Sequence, residues 1–322
     1  DLNLSFNEIR EIKGLDKLDE LRKLNLSDNK IVAIEGLNSL RKLEFLDLSY
    51  NRIIKIEGLN MLEKLCNLNL FSNEIKEIKG LEWLDELHKL NLSDNKIVDI
   101  QGLDNLKRLK NLNLSSNEII KIKGLKNLKR LNTLDLSFNL IREIKGLDQL
   151  VELEDLNLCK NKIGNIINLK YNLKLKNLNL SKNENISIEG IKELTHLEAL
   201  DLGYTNRKEL GEEIQLLTNL KELYLYNNNL ISMKGIENLK KLEILNLSNN
   251  EIEKVENIKG LNNLKSIDKL KGLDLSYNKI ISTEGIEELY NLENLYLRNN
   301  HIEEIGNLKK LYNLKVIDLS HN

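Results

Sequence analysis

Proline is absent from the 322 residues, and cysteine and aromatic residues are scarce. Average usage would give roughly 16 prolines, so proline-rich linkers are excluded. Cys66 and Cys159 lie far apart without a CxxC pair, which indicates neither a disulfide framework nor a zinc site. Nine tyrosines, four phenylalanines and one tryptophan are too few for an aromatic-rich core.

An excess of one charge sign and long apolar runs are also missing. The chain has 48 basic and 50 acidic residues, giving a formal net charge of -2. No long-range field therefore favours nucleic acid or an anionic membrane. No apolar run approaches the roughly 18 residues of a membrane helix. We expect neither nucleic acid nor a membrane as a partner.

What the sequence does contain is a repeat. An asparagine that closes an LxLxxN pattern recurs every 22 residues from Asn7 to Asn183, and the register continues through Thr205 to Asn322. This marker position is Asn in fourteen of fifteen repeats. The leucines of LxL alternate with polar residues at the period of a β-strand, so each repeat predicts one short strand with leucines inward. Buried beyond the strand, the marker amide must both donate and accept hydrogen bonds from turn to turn, which makes Thr205 the expected weak point.

Seven residues after most markers stands a glycine, as at Gly14 and Gly58, and three further repeats have Asn168, Asn257 or Asn307 there. Glycine adopts a positive φ most readily and asparagine comes second, so this column indicates a backbone at positive φ. Leucines at a spacing of three follow, which favours a short 3-10 or α turn on the opposite side. The insertion between Asn250 and Asn278 continues this spacing from Ile258 to Ile267 and predicts extra helical turns, with neutral drift and a partner site both open.

The unit LxxLxxLxLxxNxIxxIxGL resembles a leucine-rich repeat of the 22-residue class, and in particular the repeat-built regulatory subunit of type-1 protein phosphatase. This resemblance implies an α/β leucine-rich repeat solenoid of about 15 repeats. Its parallel sheet would line the concave face of a right-handed arc, with short turns on the convex side. We expect a single domain over residues 1–322, regular over 1–183, irregular over 184–278 and regular over 279–322. Because the chain begins within a strand and ends on a marker, we interpret it as a segment of a longer protein.

Four columns of residues define the predicted concave face. The first column precedes LxL, the central column lies between its leucines, the third follows them, and the fourth precedes the marker. Tyr224 and Tyr296 interrupt a central column that is otherwise Asn or Asp. The third column is mostly Ser and is interrupted by Phe71, Cys159, Gly203, Tyr226 and Arg298, all expected to be exposed; the fourth contains Phe6, Tyr50, Phe138, Tyr204 and Tyr277.

Rigid aromatics and arginine are common anchors of protein interfaces. We therefore predict partner-binding residues at Tyr204, Tyr224, Tyr226, Tyr277, Tyr296 and Arg298, with a smaller second patch at Phe45 and Phe71. For the fourth column, the alternative is that each aromatic covers the leucine below it. Because scaffold geometry does not require Tyr224, Tyr226, Tyr296 or Arg298, we expect their replacement to leave the fold stable.

Catalytic chemistry finds no support in the sequence. The four histidines fall in different repeats without HExxH spacing, and the repeated glycines are followed by leucine rather than by GK[ST]. We expect no enzyme, no cofactor and no metal.

Two function classes remain open. One is a cytoplasmic scaffold or regulatory subunit that binds a folded protein on its concave face, and the resemblance suggests a phosphatase catalytic subunit or a cytoskeletal or axonemal partner. The other is the sensing or adhesin region of a larger protein, such as a repeat-containing GTPase, an immune receptor or an internalin-like protein. Internalin-type repeats usually carry a proline where this chain has Gly-Leu, which disfavours the last. Open ends also predict end-to-end self-association.

Overall fold

A computed structural model describes residues 1–258, 261 and 270–322. The chain forms two compact units, Asp1–Lys162 and Ile163–Asn322. Of the helical turns predicted between Ile258 and Ile267, only residues 258 and 261 belong to the described part. The predicted single domain and its internal boundaries stay predictions.

The first unit contains eight short strands. They are β1 (Leu2–Asn3), β2 (Lys23–Asn25), β3 (Phe45–Asp47), β4 (Asn67–Asn69), β5 (Lys89–Asn91), β6 (Asn111–Asn113), β7 (Thr133–Asp135) and β8 (Asp155–Asn157). Consecutive strands pair in parallel with equivalent residues in register, for example Leu24 with Leu46. The leucine-spaced segments opposite the strands form tight turns, in which the Leu40 amide donates to the Leu37 carbonyl at 3.0 Å.

The second unit contains seven strands and five described 3-10 helices. The strands are β9 (Asn177–Asn179), β10 (Ala199–Asp201), β11 (Glu222–Tyr224), β12 (Ile244–Asn246), β13 (Gly272–Asp274), β14 (Asn294–Tyr296) and β15 (Val316–Asp318). The helices are Ile167–Tyr171, Ile191–Glu193, Ile214–Leu216, Ile286–Glu288 and Leu308–Lys310. The predicted solenoid with a parallel sheet is confirmed in each unit. Within the described residues no helix has the length and apolar character needed to cross a bilayer.

Leucine and isoleucine fill the interior of both units. In β3 and the residue after it, Leu46 and Leu48 are fully buried, and Ile53 and Ile56 of the same turn are 0% and 1% exposed. Most of the turns in the described part of the chain repeat this arrangement, so each of them buries its apolar face against the turns beside it. The fold therefore holds the strand residues between and beside the leucines on one surface, which we call the sheet face.

The marker asparagines link successive turns as predicted. The Asn51 amide nitrogen donates to the Leu48 and Ser49 carbonyls of its own turn and to the Leu26 carbonyl of the preceding turn. Its Oδ1 accepts the Ile31 amide at 3.0 Å. One side chain thus satisfies buried backbone groups in two turns, which explains why an amide recurs there.

Thr205 changes this ladder. Its hydroxyl donates to the Leu202 carbonyl of its own turn at 2.7 Å and lies 3.1 Å from Asn228 Oδ1 in the next turn. The Asn185 amide, which would face an asparagine Oδ1 in a regular repeat, donates instead to the Thr205 backbone carbonyl. A threonine side chain cannot provide the bond to the preceding turn that Asn51 makes, so this rung has fewer cross-turn links.

The predicted positive φ is confirmed at ten glycines and at Asn257. It is wrong at Asn168, which lies within the 3-10 helix Ile167–Tyr171, and at Asn307. Gly58 has a φ of 74°, and an added Cβ would stand 2.1 Å from the Ile34 carbonyl oxygen, so only glycine fits. Asn307 has a φ of -76° and caps the helix Leu308–Lys310 by accepting the Lys309 amide. There asparagine serves as an N-cap, another use of the same side chain.

Candidate functional site

The central column of the sheet face has a structural role. All thirteen Asn or Asp residues in it accept, through Oδ1, the backbone amide two residues further on. Asp135 also accepts the Ser137 hydroxyl at 2.6 Å. This local bond ends each strand and holds the third column against the sheet.

The third column is consequently less exposed than the sequence suggested. Ser49, Ser93, Ser137 and Ser181 are buried, and Cys159, expected to be exposed, retains only 9% of its surface. The cause is the bond to the central column, which draws the backbone of this position towards the strand. The expectation that Cys159 is exposed is therefore wrong.

At Tyr224 and Tyr296 a phenol replaces the Asn or Asp of the central column. Its hydroxyl does not reach the backbone amide two residues further on, which the Asn or Asp side chain accepts in the remaining repeats. Tyr224 is half-buried, and its hydroxyl donates to Glu222 Oε2 at 2.9 Å. Burial, the bond to Glu222 and the charge of Glu222 raise the pKa of Tyr224 to about 12, so it stays neutral at all ordinary pH. Tyr296 is 37% exposed, and Arg298 is exposed beside it. On β11 and β14, the two tyrosines stand three strands apart, about 14 Å.

Tyr226 has a different environment. Its ring lies over Gly203, where an added Cβ would come within 2.4 Å of the ring. It also meets Tyr204 edge to face with centroids 5.7 Å apart, and its hydroxyl donates to Asp201 Oδ2 at 3.3 Å. The Tyr226 ring thus fills the space that the missing side chain of Gly203 leaves, so these two interruptions of the third column compensate each other. Tyr226 packs within the protein.

Asp201 sits beneath this cluster. Burial raises the pKa of Asp201, although the Gly203 amide and the Tyr226 hydroxyl bond to it and oppose the shift. The carboxylate therefore carries a desolvation cost.

The fourth column has a left-handed backbone in every repeat, with φ between 52° and 60°. Such a conformation is uncommon for bulky side chains and favours Asn or Asp. Aromatics nevertheless occupy five of these positions and are 44% to 79% exposed: Phe6, Tyr50, Phe138, Tyr204 and Tyr277. Several contact the next turn: Tyr50 meets Phe71 edge to face at 4.9 Å, and Lys160 lies 4.8 Å above the Phe138 ring.

The smaller patch separates into two places. Phe71 packs with Tyr50, whereas Phe45 stands in the first column and lines a shallow groove of about 460 Å³ across the sheet face of the first unit. Polar side chains from Lys89, Asn111 and Thr133 line the same groove. Phe45 and Phe71 thus have different neighbours on the sheet face.

Two unusual residues of the first column were not predicted from the sequence. Ile244 is 37% exposed on β12, and Gly272 lies beside it on β13. Both stand where most strands have a polar side chain, and this interruption is visible in the sequence once the first column is read as closely as the others.

No group of three or more His, Cys, Asp or Glu side chains capable of holding a metal occurs in the part of the chain that the structure describes. The aspartates of the central column are held in local bonds to the strands, as at Asp135 and Asp274. This geometry suits a surface for contacts rather than a convergent reaction centre.

Comparisons with known proteins agree with the repeat. The family described as "Leucine Rich repeats (2 copies)" matches residues 85–127, 218–263, 268–310 and 290–322, and "Leucine Rich repeat" matches residues 39–62. No curated protein is similar enough to count as a match.

Solved structures resemble the chain over nearly its whole length. An internalin of Listeria monocytogenes is 28% identical with a TM-score of 0.84, covering 96% of this chain and 90% of its own. A leucine-rich repeat protein of Leptospira interrogans is 26% identical with a TM-score of 0.77, covering 98% and 94%. Toll, in its Drosophila complex with Spatzle, shares the fold at 21% identity and a TM-score of 0.73, covering 96% and 48%. The missing proline therefore does not separate this chain from the internalin fold.

Proposed function

Because the chain is a leucine-rich repeat protein, we propose that it is a non-enzymatic scaffold or regulatory subunit that binds a folded protein on its sheet face. The observation that carries this proposal is that tyrosine replaces the usual Asn or Asp of the central column at Tyr224 and Tyr296. In the thirteen remaining repeats, an Asn or Asp at this position caps the strand. At Tyr224 and Tyr296 the strand lacks this cap. Tyr226 fills the space over Gly203. Tyr224 and Tyr296 fill no comparable gap in the described part of the fold.

The dimensions of the surface support a protein rather than a small molecule. Tyr224 and Tyr296 are about 14 Å apart along the sheet, and exposed Arg298 extends the surface towards the fourth column. A typical interface covers about 800 Å² on each partner, with a few aromatic or arginine anchors near its centre. A small ligand instead needs an enclosed cavity, whereas the groove at Phe45 is open.

The fourth column supports the same function. Bulky residues in a left-handed backbone cost on the order of 1 kcal/mol each relative to asparagine, and repeats with Asp28 or Asn249 show that the turn itself accepts smaller side chains. Tyr204 and Tyr277 border the second-unit surface from this column. We propose that they form its upper rim.

A phosphatase catalytic subunit and a cytoskeletal or axonemal protein remain the partner classes that the phosphatase-regulator resemblance suggests. A cytoplasmic location belongs to this proposal. It is supported by the six Asn-Leu-Ser sites, because Asn25 and its equivalents bond to the strand end and a glycan there would cover the sheet face. The second candidate is a bacterial surface adhesin, which the internalin similarity favours.

The test is chemical crosslinking in the source cell, followed by identification of captured proteins. The variant Tyr224→Asn/Tyr296→Asn/Arg298→Ser restores the consensus of each column and leaves Tyr226 in place. Asp47→Asn/Asp135→Asn is the matched control, since it changes the central column of the first unit and retains the capping oxygen. We expect the triple variant to lose a partner that the control retains. If both capture the same proteins equally, the binding surface lies elsewhere, at Phe45 or Phe71 or at the insertion.

A further inference from the structure

Gly272 has no role that the scaffold explains. Its φ lies outside the left-handed region, and an added Cβ would meet only the Ile244 Cγ1 atom, at 4.0 Å, among the described residues. A side chain would therefore fit there, and glycine weakens a strand by leaving more freedom in the unfolded chain. Glycine within a strand often marks a place where another molecule approaches the backbone. Gly203 differs, because the Tyr226 ring occupies its free space.

The residues around Gly272 form a basin on the sheet face. Ile244 borders it on β12, one strand away, and Glu222 stands beyond Ile244 on β11. On the other side, Tyr296 on β14 pairs with Asp274 of β13. Ile244 and Tyr296 are each 37% exposed. Directly opposite Gly272 on β14 stands Asn294. The basin thus has a backbone floor, an apolar wall at Ile244 and a polar wall at Asn294, with the Tyr296 ring diagonally beyond, beside Asp274.

The charge of the basin is negative. Asp274 lies two residues, about 7 Å, along the strand from the glycine, and its Oδ1 accepts the Ser276 amide at 2.9 Å. Glu222 stands on β11 and accepts the Tyr224 hydroxyl. Lys271 precedes Gly272 and is ion-paired with Glu243. Exposed Arg298 lies in the third column, towards Asp318. Bonds from Ser320 and the charge of Arg298 together hold the pKa of Asp318 below its ordinary value.

We propose that this basin receives an arginine side chain of the protein partner. The aliphatic stem would lie over Gly272 against Ile244, and the guanidinium would reach the Asp274 carboxylate beside the Tyr296 ring. Arginine fits because its planar head both stacks on aromatic rings and bonds a carboxylate, while its stem covers apolar surface. The inference rests on the proposed function, since it names the chemistry that the same face recognises.

The experiment uses the whole chain and a blocked pentapeptide with a central arginine and four glycines. Its binding is followed by NMR of the Ile244 methyl groups and the Tyr296 ring. The citrulline peptide, neutral and of the same shape, is the matched probe, and a lysine peptide tests whether charge alone suffices. Asp274→Asn removes the charge but keeps the capping oxygen that most central-column residues supply. Gly272→Val fills the floor with a residue suited to a strand.

We expect the arginine peptide to shift the Ile244 and Tyr296 signals. Asp274→Asn should weaken binding about two- to fivefold, as for an exposed charge pair, and Gly272→Val should abolish the shifts. Asp47→Asn, the same change on the first unit, should have no effect. Equal shifts with citrulline, no shifts with any peptide, or a stronger response to lysine than to arginine would each overturn the assignment. Loss of the arginine response with partner capture intact would refute only this inference, whereas lost capture with the response intact would refute the proposed function.

Discussion

The asparagine ladder makes a quantitative prediction for Asn117→Ala. The Asn117 amide nitrogen donates to the Leu92 carbonyl at 3.0 Å, and its Oδ1 accepts the Ile97 amide at 2.9 Å. Both partners belong to the preceding turn, and the leucine and isoleucine side chains around them are fully buried. Alanine leaves both backbone groups without this partner in a place that water reaches poorly. The Leu92 carbonyl keeps its bond from the Asn95 side chain, so the Ile97 amide is the group left orphaned, at a cost of roughly 1 to 3 kcal/mol in the free energy of unfolding.

Thr205→Asn is the opposite change. It restores a second donor at the rung where the threonine hydroxyl reaches only the Leu202 carbonyl and Asn228. The free energy of unfolding should therefore stay equal or rise. Urea unfolding followed by circular dichroism measures both variants, and Asn60→Ala at an exposed position is the control, expected to change stability by less than about 0.5 kcal/mol. Similar losses for Asn117→Ala and Thr205→Asn would refute the ladder as the origin of the asparagine repeat.

Three further changes test the second unit. Gly203→Ser should lower the melting temperature because its Cβ meets the Tyr226 ring, and the double variant with Tyr226→Ser should recover most of the loss; additive losses would show that the residues are independent. Asp201→Asn should stabilise the fold near neutral pH. A folded pKa raised above the unfolded value means that charge opposes folding above both pKa values, so the gain should vanish as the pH falls below the unfolded pKa; a gain that persists in acid would exclude this cause. Tyr296→Asn/Arg298→Ser should leave thermal unfolding unchanged, and a large loss would make these side chains structural.

The repeat could be predicted from the sequence because its signals are local and recur in every turn. One strand, one marker amide and one positive φ suffice to place Leu46, Asn51 and Gly58, and the structure places them accordingly. Asn307 departs because asparagine also caps helices, and residue type alone does not distinguish that use from a positive φ. Burial of Cys159 followed from a hydrogen bond two residues away that strand alternation does not represent.

The sheet face was harder to predict because a departure from a column has two physical origins. At Gly203 and Tyr226 the departures compensate each other, since the missing side chain on one strand makes room for the ring from the next. The expectation that Tyr226 can be replaced without effect on the fold is therefore not supported by its contacts. That pairing depends on the direction in which the ring turns, and sequence spacing does not fix it.

Gly272 provides the contrast that makes Tyr296 informative. It too is a glycine on the sheet face, but its partners in register are Ile244 and Asn294, whereas Tyr296 pairs with Asp274 two residues further along, and the described side chains leave the space over the glycine open. Tyr226 directly faces Gly203 and its ring fills the space there, whereas Tyr296 is diagonal to Gly272 and leaves the space over it open. Tyr296 keeps 37% of its surface exposed while the strand beside it retains the cost of a glycine. A compensated pair stabilises the fold on its own, whereas an uncompensated pair gains its stabilisation only when another molecule occupies the space.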